Sequence, residues 1–148
     1  MSAEVLLVDD DHSVRLSLGR ALRSEGYTVV EAVNGQDALA KLAESTVDLV
    51  LLDLNMPVVN GWDTLDQIKE INPFLPVIVI TARPNQHHAA ARAGVAAVLE
   101  KPLALPVLLD LMGRTVAETV EARRRRLANR ETLHVVSAAG AQVNLLVG

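Results

Sequence analysis

Three aspartates stand in a row, Asp9-Asp10-Asp11, directly after the short apolar run Val5–Val8. Asp53 closes a second apolar run, Leu49–Leu52, and Thr81 closes a third, Val77–Ile80. Ala97–Leu99 leads into Glu100-Lys101-Pro102. Carboxylates gathered in one pocket repel each other, and a hard divalent cation relieves that repulsion. Magnesium favours oxygen ligands in an octahedron and keeps some of its water, so one or two carboxylates and a carbonyl suffice. A cation beside Asp53 would screen an incoming phosphoryl group and let the carboxylate attack phosphorus. The Thr81 hydroxyl can donate to a phosphoryl oxygen, and Lys101 supplies a mobile positive charge for another. Phosphoryl transfer needs mainly positioning and charge neutralisation, and this set provides both.

The set works only if the chain brings the four run ends together. Apolar runs alternate with helical patterns at regular spacing. Ser13–Ser24 has helical periodicity through Val14, Leu18, Ala21 and Leu22, and Tyr27–Ala32 reads as a strand after Gly26. Asn34-Gly35 makes a turn before a helix through Ala38, Leu39 and Leu42. A loop with Pro57 and Gly61 precedes a helix through Leu65, Ile68 and Ile71, which Asn72-Pro73 ends. An alanine-rich helix is expected from about Gln86 to Ala93, stopped by Gly94, and a last helix from about Leu103. Five β–α units result. Continuous rather than alternating apolar strands are buried on both faces, as in a parallel sheet covered by helices. The expected fold class is therefore α/β, doubly wound, and ligands in such sheets sit outside the carboxyl ends of the strands.

These residues resemble the receiver domain of two-component response regulators. The likeness rests on Asp9-Asp10, on Asp53-Leu-Asn-Met-Pro57 continuing to Gly61, on Thr81-Ala82 and on Lys101-Pro102. It covers residues 3–120 as a receiver domain and leaves 121–148 as a C-terminal extension. The resemblance implies a flavodoxin-like, five-stranded parallel sheet in the order 2-1-3-4-5 with helices on both faces. Asp53 would be the phosphoacceptor, served by a histidine kinase or phosphotransfer protein, and the signal would pass to an output protein by a change of shape. Magnesium (or manganese) would be held by Asp10 directly, by Asp9 mainly through water, by Asp53, and by the backbone carbonyl of Asn55. Thr81 would follow the phosphoryl group inward and Lys101 would pair with it. The Lys101–Pro102 bond would be cis. Such a domain is a switch, not an enzyme, beyond taking its own phosphoryl group and losing it.

Plainer readings stand beside this one. An aspartate after a buried strand is often a helix N-cap, and Asp11 or Ser13 suits that role. A magnesium-dependent phosphohydrolase could use Asp53 as its covalent intermediate, and the chain could be a fragment of a larger regulator. Receivers often carry an aromatic residue three positions before the lysine; here it is Val98, with few rotamers and no ring to swing. Signalling is then expected to depend on the backbone after Thr81 or on the last helix. Pro84 biases Arg83 towards extended geometry, and Arg83 is expected to cover the acyl phosphate partly. His87 and His88, adjacent on a helix, point about 100° apart and make a poor shared ligand site. His12 is expected to face solvent and Trp62 to serve packing.

Leu105, Leu108, Leu109, Met112 and Val116 form an apolar stripe at helical spacing, with Pro106 tolerated in the first turn. The helix is expected to continue into Arg123–Arg126, where it could pair with its twin in a homodimer. Residues 121–131 carry five arginines against two glutamates, +3 within a chain of net charge −4, so the remainder carries −7. That acidity argues against whole-domain nucleic-acid binding, and the arginine run reads as a solvated helix face. The apolar tail beyond Arg130 could be a strand, a docking segment or loose. The chain has no cysteine, which excludes disulfides and thiolate chemistry. No apolar run approaches a membrane span of about 18 residues, and no secretory signal is seen, so the expected location is cytoplasmic.

Overall fold

The computed structural model describes residues 3–54, 61–83, 94–118, 120–129, 132–136 and 142–146. Asn55, Pro57, Pro84, His87, His88 and the helix expected over 86–93 lie outside the described residues. The chain divides into two compact units, residues 1–75 and 76–148, each with strands of its own.

The first unit runs β1 (Glu4–Val8), α1 (His12–Ser24), β2 (Thr28–Ala32), α2 (Gly35–Glu44), β3 (Leu49–Asp53) and α3 (Gly61–Ile71). Strand β1 is central and pairs in parallel with β2, Val8 beside Ala32, and with β3, Val8 beside Leu52. Val5–Val8 and Leu49–Leu52 are buried throughout, as unbroken apolar strands require. Asp11 caps α1, its Oδ1 accepting from the Val14 N–H at 3.1 Å, so the plain reading of that aspartate holds. Helix α2 has a reciprocal cap: Asn34 accepts from the Asp37 N–H at 2.8 Å, and Asp37 accepts from the Val33 N–H at 2.9 Å. Both caps start their helices just beyond the carboxyl ends of β1 and β2. The side of α1 that is buried runs through Arg15, Gly19 and Leu22. Val14, Leu18 and Ala21, expected on the core stripe, lie on its half-buried flank.

The second unit runs β4 (Val77–Thr81), β5 (Ala97–Glu100), α4 (Leu105–Ala117), α5 (Val120–Asn129), β6 (Thr132–Val136) and β7 (Gln142–Leu146). Strands β4 and β5 are parallel, with Thr81 beside Glu100. Helix α4 opens two residues later than its sequence pattern indicates, with Pro106 in the first turn, where its missing N–H has no helical partner to lose. Its buried positions are Leu108, Leu111, Met112 and Thr115, whereas Leu105 is exposed and Leu109 and Val116 are partly so. The helix does not run unbroken into the arginine segment. Glu118 leaves helical geometry at φ −64°, ψ 129°, and α5 starts afresh at Val120.

The tail resolves into strands. Strand β6 pairs in parallel with β5, Val135 beside Val98, and β7 returns antiparallel along β6, Thr132 beside Leu146. The composition favours this, since Val135, Val136 and Val143 are β-branched and the segment carries no proline. Among the described residues, no helix is long and apolar enough to cross a membrane.

Candidate functional site

The acidic pocket belongs to the first unit. Because β1 and β3 are parallel and Val8 stands beside Leu52, the next residues, Asp9 and Asp53, emerge side by side at the carboxyl end of the sheet. One carboxylate oxygen from each of Asp9, Asp10 and Asp53 lies within 4.8 Å of the others. Asp9 and Asp53 are buried and Asp10 is exposed. Asp9 is held firmly: its N–H donates to the Ala32 carbonyl at 3.2 Å and its Oδ1 accepts from the Asp11 N–H at 2.9 Å. Three carboxylates at this range favour a shared cation, and the exposed side leaves room for the water that magnesium retains. The donor set fits a hard divalent ion.

Close packing holds the chain just after Asp53. A Cβ on Gly61, the first residue of α3, would stand 2.6 Å from the Leu54 Cα, so only glycine lets the helix start that close to the strand end. Trp62 follows it and is partly buried.

In the second unit Thr81 and Lys101 are neighbours. The Lys101 N–H donates to the Thr81 carbonyl at 2.8 Å, and the Lys101–Pro102 bond is cis, as expected. The buried Thr81 Oγ1 accepts from the Arg83 N–H at 3.0 Å, so the backbone that leaves β4 is tied to the hydroxyl itself. Val98, at the position where an aromatic ring is common, is buried in β5 between Val79 and Val135. The structure thus groups Asp9, Asp10 and Asp53 in one unit and Thr81 with Lys101 in the other.

One residue was absent from the sequence-derived set. Arg15 is buried, donates from Nη1 to the Asp9 carbonyl at 2.7 Å, and has its Nε 3.7 Å from Glu31 Oε1. The buried face through Arg15, Gly19 and Leu22 emerges only in the structure, because the apolar spacing of the sequence points to Val14, Leu18 and Ala21 beside it. His12 is exposed as expected, with Nδ1 3.4 Å from Arg15 Nη2.

Comparison with known proteins decides the family. Residues 5–112 match the model of the response regulator receiver domain. The chain belongs to that family. It is 40% identical over 128 residues to the response regulator MprA of Mycobacterium ulcerans, covering 82% of this chain and 55% of that protein. It is 39% identical over 120 residues to the transcriptional regulatory protein ZraR of Salmonella typhimurium, covering 80% of this chain and 27% of that one. The chain therefore spans about half the length of the first relative and about a quarter of the second. Among solved structures, the chemotaxis protein CheY4 of Vibrio cholerae is similar at 30% identity and a TM-score of 0.73, over 78% of this chain and 99% of that one. The response regulator TrrA of Thermotoga maritima, solved in complex with Mg2+-BeF, is similar at 28% identity and a TM-score of 0.71, with the same coverage. The receiver fold is the expected one, five parallel strands in the order 2-1-3-4-5. Receivers are signalling domains that accept a phosphoryl group on an aspartate, and this one has the acidic pocket that the family uses. Strands β6 and β7 lie outside the residues matched to the family.

Proposed function

We propose that this receiver takes a phosphoryl group on Asp53 in the presence of magnesium, from a histidine kinase or phosphotransfer protein in the cytoplasm, and passes the signal to an output protein. The observation that carries this reading is the cluster of Asp9, Asp10 and Asp53 with a buried Asp53 at the end of β3. A carboxylate oxygen of Asp53 forms a bond to phosphorus as the bond from phosphorus to the donor breaks. The donor group leaves with the electron pair and takes a proton. Asp9, Asp10, Asp53 and the Asn55 carbonyl would hold a divalent ion, which would supply charge neutralisation for the phosphoryl oxygens. Thr81 donates its hydroxyl proton to one of those oxygens and Lys101 pairs with another, which supports the acyl phosphate after transfer. Because the Thr81 Oγ1 also holds the Arg83 N–H, recruiting that hydroxyl to phosphate pulls on the backbone after β4. This gives a route for the signal that needs no aromatic ring at position 98. Residues 3–120 carry the switch, and 121–148 form an extension to it.

Incubation with acetyl phosphate and magnesium, read by intact mass, tests the proposal. One phosphoryl group per chain is expected on the wild type and none on Asp53→Asn. Equal labelling of both proteins would sink the assignment, and rapid multiple turnover of simple phosphomonoesters would favour a hydrolase instead.

A further inference from the structure

We propose that Arg15 is a positioning residue of the acidic pocket, setting the direction in which Asp10 presents its carboxylate; the inference rests on the magnesium reading above. The Asp9 carbonyl that Arg15 grips belongs to the same planar peptide unit as the Asp10 nitrogen. Fixing that oxygen fixes the plane, and with it the bond leading to the Asp10 Cα. Asp10 needs such a device more than its neighbours. Asp53 is set by β3, and Asp9 is held through its N–H and its carboxylate, but Asp10 is exposed and follows the last residue of β1 by two.

The guanidinium is itself anchored. Its Nε lies 3.7 Å from Glu31 Oε1, and the other Glu31 oxygen accepts from Arg23 Nη2 at 3.1 Å, so a β2 carboxylate orients Arg15 from behind. Burying an arginine costs desolvation that an apolar residue of similar length avoids. On the inward face of α1 a leucine or methionine would fill the space, and neither could hold the carbonyl. The same guanidinium also puts a positive charge near the pocket, which by Coulomb's law alone weakens cation binding. Positioning and simple charge thus predict opposite signs for its removal.

The test follows from that opposition. Manganese binding to the full chain is measured by the electron paramagnetic resonance signal of the free ion, well below the melting temperature of each variant. Arg15→Met is expected to bind the ion roughly tenfold more weakly than the wild type, as losses of ligand-orienting partners do. Arg15→Lys, which can reach the carbonyl without bridging to Glu31, is expected in between. Should Arg15→Met fail to fold, Glu31→Gln carries the test: it leaves the arginine in place, loosens its anchor, and is expected to weaken binding by a smaller factor. Unchanged or tighter binding in folded variants overturns the positioning role. A wild type that binds no manganese sinks the proposed function and this inference together, whereas a wild type that binds as its variants do sinks only this one.

Discussion

Tyr27 is the single tyrosine of the chain and sits where α1 hands over to β2. Desolvation by burial, aided by the nearby Glu25 carboxylate, raises its phenol above the usual 10.0. The folded chain then holds this proton more tightly than the unfolded one. The resulting contribution to stability is complete below the unfolded value near 10 and is lost as pH rises through the higher folded value. Tyr27→Phe is expected to unfold at a higher alkaline pH than the wild type, with phenolate absorbance reporting the wild-type transition. At the same scale, Thr81→Ala removes the acceptor of the Arg83 N–H together with the hydroxyl proposed to donate to phosphate. It should label with acetyl phosphate yet show no phosphorylation-dependent change in amide exchange around residues 82–83. An unaltered exchange response would show that the signal leaves by another route.

Between elements, a close fit joins α2 to α3 in the first unit. A Cβ on Gly35 would lie 2.0 Å from the Thr64 Oγ1, and that buried hydroxyl has no hydrogen-bond partner among the described residues. Gly35→Ala is expected to cost about 1–3 kcal/mol by overpacking. The double variant Gly35→Ala/Thr64→Ala should recover part of that loss, a coupling that denaturant melts of the four proteins would measure. The strands and most helices were legible because buried parallel strands read as unbroken apolar runs and their helices repeat every 3.6 residues. Asp9, Asp10 and Asp53 were legible because parallel strands deliver their last residues to one end. Arg15 was not, because a charged residue beside a cap reads as a solvated side chain until its partners, a backbone carbonyl and a glutamate sixteen residues on, are placed in space. The break at Glu118 was hidden for a different reason: no glycine or proline marks it.

On the scale of the whole chain, the family fold accounts for residues 5–112, and the hairpin of β6 and β7 is an addition to it. By pairing with β5 it covers backbone groups of Ala97–Leu99 that would otherwise form a free sheet edge. A chain cut after residue 130 should lose amide protection along β5 and self-associate on size-exclusion chromatography. A monomer with β5 protection intact would show that the hairpin is dispensable. The hairpin also fixes an exit. Because β7 runs against β6, and β6 runs with β5, Leu146 lies level with the entrance of β5, while Lys101 stands past its far end. A fluorophore or tether fused behind Leu146 would therefore depart from the pole opposite Thr81 and Lys101, leaving the approach to both unobstructed.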